Sequence, residues 1–370
     1  MIIEISERFA DIPNAEWDKY HIAIENMINA HRWGWHIFAP SRRIANRIFE
    51  HCELSRSQKA IFDSHIKDKL TTLVGQARSS DHTILCVPDT GQTLVERANQ
   101  YAVPMSNFLE PRNLMPCRLL TENAQNDGAF FERLCLILGK YLGYQAPVVL
   151  EHLHGGGGTT AAQYKAALDE CRPTLCVVDS DQRYPDGPSG STANAVVAAG
   201  HKNACCTVQA HVLPVREAEN LIPLSFLFEV YNSNPAVTQI ITKFHTFKNS
   251  EVCQRSPYRL IDYVDFKEGE TKGAIAKIPN PHKAQALNMC AAMGHGDKGD
   301  GKYDDVKCKD VAIPAISEKV LPTVISFLDG NKRFETAMMK KIVAAPFWHD
   351  LEHIIRLILA FSCGGQKLPV

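Results

Sequence analysis

PVVLEHLHGGGGTTAAQYKAALDECRPTLCVVDSD, residues 147–181, is the stretch that decides the fold. An apolar run (147–151) ends in a carboxylate and is followed by four glycines, Gly155 to Gly158. Thr159 and Thr160 are suited to cap the helix-spaced segment 160–171, which Pro173 stops. A second apolar run then ends in DSD (179–181). Strand, helix, strand in that order implies two parallel strands joined by a right-handed crossover. Their carboxyl ends then share the sheet edge at which open α/β sheets bind ligands. The reading puts Glu151 at one strand end and Asp179 and Asp181 at or just past the other.

Residues two apart on a strand point to the same side. Asp179 and Asp181 would therefore repel each other, and a hard divalent cation relieves that repulsion. Downstream, CCTVQAHVLPV (205–215) reads as another strand leading into REAENLIP (216–223), where Glu217 and Glu219 repeat the two-residue spacing. Four or five carboxylates suit one or two Mg²⁺ (or Mn²⁺) ions and phosphoryl chemistry, with no need of His or Cys.

Outward from this core, residues 1–145 mix helical and strand-like patterns. Helix spacing runs through 21–32 and 56–76. WHIFAP (35–40) is a short apolar run, and Ser41 is placed to cap RRIANRIFEH. TILCVP (83–88) reads as a buried strand, TLVERANQYA (93–102) as a helix and FFERLCLILGKYLG (130–143) as another. This is an accessory α/β domain, suited to docking a partner or nucleic acid. Residues 146–270 form the catalytic domain and 271–370 a mostly helical C-terminal region. No internal repeat is evident, and GxxxxGK[ST] is absent.

The 370 residues suffice for about two domains. With 40 Lys+Arg against 41 Asp+Glu, the chain is not one that grips nucleic acid by net charge. Arg42, Arg43 and Arg47, or Lys332, Arg333, Lys340 and Lys341, are local basic patches, read first as solvated helix faces. The N-terminus has no signal-peptide pattern, and the best apolar run, Ile354 to Cys363, contains Arg356. A cytoplasmic protein without a membrane segment is expected. Many of the 12 cysteines lie in apolar runs and read as core. Cys290, His295 and Cys308 lack the CxxC pair of a zinc site. His152 and His154 flank the acidic cluster, and Trp33 and Trp35 bracket a glycine; each is read first as structural.

The arrangement resembles the TOPRIM fold of topoisomerases, primases and the OLD (overcoming lysogenisation defect) nucleases. The resemblance rests on DSD at 179–181 and on REAEN at 216–220. It implies a Rossmann-type parallel sheet flanked by helices, with Glu151, Asp179, Asp181 and Glu219 as Mg²⁺ ligands and Glu217 as an alternative. VDFKEG (264–269) is similar to a segment seen downstream in some of these proteins. It marks Lys267 for contact with the scissile phosphate. The family usually has Gly directly after its Glu, where this chain has His152, and a spacing longer than the 28 positions from Glu151 to Asp179. The implied activity is metal-dependent cleavage of DNA or RNA. The implied setting is antiphage defence with a separate ATPase sensor, homo-oligomerisation being left open.

Three other readings stand beside it. A haloacid-dehalogenase-type phosphatase would use Asp179 as nucleophile and Asp181 as acid, with Asp304 and Asp305 on the metal, although Arg183 departs from its pattern. A glycosyltransferase would use the DxD for a nucleotide sugar and leave REAEN without a role. A non-catalytic binding subunit would carry the cluster as a relic.

Overall fold

Two four-stranded parallel sheets, each flanked by helices, make the protein an α/β structure. The computed structural model describes residues 1–368 apart from 90–96, 145, 203–206, 251–252, 254–258, 298 and 300. The first sheet contains β1 (Ile2–Ile5), β2 (Ile37–Phe38), β3 (Thr83–Val87) and β4 (Gln100–Pro104), in the order β2-β1-β3-β4. The second contains β5 (Cys117–Thr121), β6 (Leu150–His154), β7 (Thr174–Val178) and β8 (Val208–Val212), in the order β6-β5-β7-β8. The sheets therefore repeat one topology, second-first-third-fourth, although no sequence repeat accompanies it. In both, the order of connection reverses beside the first strand, which opens a crevice at the carboxyl edge.

The boundary expected at residue 145 is corrected by this topology. It would separate β5 from β6, which pair in parallel from Cys117↔Leu150 to Thr121↔His154. The break between sheets lies between β4 and β5. The helix expected over 93–102 is also revised. Residues 93–96 lie outside the described residues, and Gln100–Pro104 is strand, held to β3 through Val87↔Pro104.

The local signals explain the helices. Ser41 accepts a hydrogen bond from the Ile44 N–H and caps α1 (Arg42–His51). Around β5 and β7, alternate side chains enter opposite layers. Leu119, Leu175 and Val177 join the large core with α2 (Ala129–Leu138) and the helix Trp348–Ser362. Leu120, Cys176 and Val178 join a smaller core with Tyr164 and Leu168 of α3 (Thr160–Glu170) and Ala193 and Val196 of α4 (Ser191–Lys202). Burial on both faces is why β7 is buried throughout and β5 is largely apolar, with Arg118 the half-buried exception.

The C-terminal region is not a separate layer. Ser362 accepts from Val149 N–H at 2.9 Å beside β6, and Arg356 reaches Asp81, next to β3, at 3.3 Å. Among the described residues, no helix is long and apolar enough to cross a membrane.

Candidate active site: an acidic recess at the carboxyl edge

β5, β7 and the segment after β8 each deliver acids to one place. β5 ends at Thr121, and Glu122 follows at once. The next turn is held by its own side chains: Asn123 accepts from the N–H groups of Gln125 and Asn126, and Asp127 Oδ2 accepts from Asn123 N–H at 2.9 Å. β7 ends at Val178, and Asp179 follows. Asp179 Oδ1 accepts from the Ala218 N–H at 3.0 Å, which ties the DSD turn to REAEN. The Asp181 N–H donates to Arg216 O at 3.0 Å, a second tie between the same segments.

Asp181 adopts a left-handed backbone, φ 53°, which is sparsely populated by residues other than glycine. Gly190 makes room for it, since a Cβ there would overlap the Asp181 carboxylate. This arrangement turns Asp181 away from the strand direction and leaves it exposed at the mouth, while Glu217 and Glu219 lie buried behind.

Arg216 and Asn220 clamp REAEN to VDFKEG. The Arg216 guanidinium pairs with Asp265 at 3.0 Å and with Glu270, all three side chains being buried. Asn220 Nδ2 donates to Val264 O at 2.9 Å. Asp265 Oδ1 in turn accepts from the N–H groups of Lys267 and Glu268, shaping the turn that presents Lys267. The Lys267 ammonium then stands 3.3 Å from Glu217 and 3.5 Å from Glu219.

The electrostatics follow from too many acids in a poorly hydrated place. Burial first, then Asp181 and Asp127, push the Glu122 carboxyl up to about 7. Burial raises Glu217 to about 7, reinforced by Asp265 and opposed by Lys267. Asp179 is pushed well above the usual carboxylate range by burial and by Asp127, Glu219 and Glu217. Asp127 and Glu219 are raised by burial as well, and Lys267 opposes both shifts. Five of these carboxylates thus feel the Lys267 charge, and Asp181, exposed, acts on Glu122 beside them.

Glu151 is corrected. The strand begins at Leu150, not at Pro147, so Glu151 lies near its amino end, in register with Arg118. It pairs with Arg172 and with Arg118 at 3.6 Å, at the far end of the strands from the acidic recess. Glu122 stands where Glu151 was expected. The missed signal is CRLLTE (117–122), an apolar run ending in a carboxylate, with Asp127 five residues on and a helix after it. Of the other expected residues, Asp179, Asp181, Glu217, Glu219 and Lys267 come together as described.

The oxygen-only donor set suits a hard cation such as Mg²⁺ or Mn²⁺. Glu122 Oε1 and Glu219 Oε2 are buried oxygens with no hydrogen-bond partner among the described residues, so both have acceptor capacity left for a cation. As the side chains stand, no three His, Cys, Asp or Glu among the described residues are grouped to hold a metal ion. That includes Cys290, His295 and Cys308. Loading would require the carboxylates to draw together.

Several flanking residues have structural work. His152 pairs with Glu132 at 3.0 Å, and His154 Nδ1 accepts from Ala124 N–H in the turn that carries Glu122. Arg43 pairs with Asp11, and Arg47 donates to Ile12 O and Asn14. Trp33 stacks on Trp35 at 6.1 Å, with Lys367 over its ring. Asp304, required by the phosphatase reading, is exposed and paired with Lys283.

Compared with protein-family models, with curated proteins and with solved structures, the chain matches none.

Proposed function

We propose that the protein is a divalent-metal-dependent nuclease of TOPRIM type, resembling the OLD family, with Glu122 in the role first given to Glu151. The observation that supports this most is that Glu122, Asp127, Asp179, Glu217 and Glu219 all feel the Lys267 charge at a parallel-sheet carboxyl edge, with Asp181 beside Glu122. With Glu122 as the strand-end acid, the spacing to Asp179 is 57 positions, room for β6 and two helices. That removes the short spacing at which Glu151 departed from the family.

Glu122, Asp179, Asp181 and Glu219 are the proposed ligands for Mg²⁺ or Mn²⁺, with Asp127 and Glu217 beside them. When bound, the metal supplies charge stabilisation at the transferring phosphorus and eases formation of the nucleophile. The residues themselves do the positioning. Ala218 N–H orients Asp179, and Arg216 pairs with Asp265 and Glu270 and so ties REAEN to the segment that carries Lys267. Lys267, one-third exposed, can reach the substrate phosphate from the rim. The substrate is a DNA or RNA phosphodiester. From the resemblance come a separate ATPase sensor, an antiphage role and a cytoplasmic setting; the docking role first given to residues 1–145 passes to the part that carries the first sheet.

The test is incubation of the protein with plasmid, single-stranded DNA and tRNA, with Mg²⁺, Mn²⁺ or EDTA, beside Asp179→Ala. Cleavage that needs metal and Asp179 is expected. No metal-dependent cleavage with any substrate, with or without products of neighbouring genes, would sink the nuclease reading.

A further inference from the structure

We infer that Lys267 is a built-in stand-in for the divalent cation: its ammonium holds Glu217 and Glu219 in the metal-free protein and must withdraw when metal enters. This rests on the reading of the acidic recess as a metal site, and concerns how that site is kept ready and how tightly it loads.

The geometry carries it. The ammonium lies 3.3 Å from Glu217 and 3.5 Å from Glu219, both less than a tenth exposed. A cation at that point neutralises Glu219, a proposed ligand, and its neighbour Glu217, and a metal drawn in by Glu219 would meet its like-charge repulsion. Lys267 is also built to leave. Its backbone is fixed by Asp265 through the turn N–H groups, while its side chain remains one-third exposed. A flexible four-carbon stem rooted at the rim can move the charge outward without disturbing the fold.

An anchored cation would look different, and Arg216 supplies the contrast. It is buried among Asp265, Glu270 and Glu217, and it donates to Tyr263 O as well. Arg216 is structural by that measure, and Lys267 is not. Glu219 Oε2 also stays without a hydrogen-bond partner among the described residues. The stand-in therefore satisfies the recess only in part and leaves a driving force for exchange.

The experiment is Mn²⁺ binding by titration calorimetry to the full chain, comparing wild type with Lys267→Met and Lys267→Gln. Both neutral variants should bind Mn²⁺ at least about tenfold more tightly. Both should melt lower than wild type in EDTA and regain more on adding Mn²⁺. In wild type, Lys267 should become more reactive toward an amine-acylating reagent when Mn²⁺ is present, a readout that needs no variant to fold. Unchanged or weaker Mn²⁺ binding in the neutral variants, or Lys267 equally protected with and without Mn²⁺, overturns the inference and leaves the metal site standing. Absence of Mn²⁺ binding to wild type and variants alike overturns the metal site itself, and this inference with it.

Discussion

Arg216 and Asp265 face each other at 3.0 Å, both buried, and join the two segments that bring acids and a lysine to the recess. Arg216 follows β8 by four residues, and Asp265 opens the turn that carries Lys267. Removing the guanidinium strands Asp265 and Glu270 as buried charges. Arg216→Met is expected to cost about 3–5 kcal/mol, the usual penalty for breaking a buried pair from one side. Urea unfolding followed by circular dichroism measures it, and a loss no larger than that of an exposed ion pair would show the clamp to be unimportant.

Asp179 should separate activity from stability. Its carboxyl is raised by burial and by three neighbouring acids, so the charged form is unwelcome without a cation. Asp179→Asn is expected to lower metal-dependent cleavage by about two orders of magnitude or more, as when a group that supports charge at a phosphoryl centre is lost. The same variant should melt higher than wild type in EDTA. A lower melting temperature in EDTA would contradict the repulsion argument.

Glu122 and Glu151 give opposite expectations. Glu122→Gln should abolish cleavage and weaken Mn²⁺ binding while preserving the fold. Glu151→Gln should leave cleavage intact and lower the melting temperature modestly, because buried Arg172 loses its carboxylate partner. Parallel plasmid-nicking assays and thermal scans decide between them; cleavage lost in Glu151→Gln and kept in Glu122→Gln would reverse the assignment.

Gly190 is expected to tolerate no side chain. Gly190→Ala would press a methyl group into the Asp181 carboxylate, so cleavage should fall while α4 still forms. Unaltered cleavage with a folded protein would mean that Asp181 is free to move and its left-handed backbone is incidental.

His82 should withdraw stability in mild acid, against Glu122 and Glu217, whose raised carboxyls take up protons in the folded state over the same window and act the other way. The ring is buried between Tyr101 and Phe361, at 4.2 and 4.4 Å, with no hydrogen-bond partner for either nitrogen among the described residues. Burial lowers it to about 3. The folded protein thus keeps His82 neutral while the unfolded chain takes up a proton below pH 6.5, so the unfolded state binds more protons in that window. Stability from this group is full above pH 6.5 and declines toward pH 3, by about 1.4 kcal/mol per pH unit in the steep part. His82→Phe should flatten the change in urea midpoint between pH 7 and pH 5; an equally steep profile would assign the acid sensitivity elsewhere, for example to His31, lowered to about 4 by burial.

The sequence by itself determined the α/β class, the crossover from β6 through α3 to β7, and the placement of DSD just past a strand end. Those features are local: five-residue apolar runs and a stopping proline act within a few ångströms, whereas the expected threonine caps do not form, since Thr159 makes no capping hydrogen bond and its hydroxyl donates to Gly155 O instead. It also marked Glu217 and Glu219, because charged pairs after apolar runs are visible as spacing, whereas Lys267 was marked only by the resemblance of VDFKEG to a family segment. Tertiary structure alone decided which glutamate completes the recess. Glu151 and Glu122 each follow an apolar run, and only parallel register shows that Glu151 starts its strand while Glu122 follows the end of its own. The domain boundary was hidden for the same reason, since β5 joins β6 and β7 across 28 and 52 intervening residues. The raised carboxyl groups, the Arg216 clamp and the position of Lys267 depend on segments far apart in sequence. No periodicity records such meetings, because long-range packing, not local propensity, sets how much water each charge keeps.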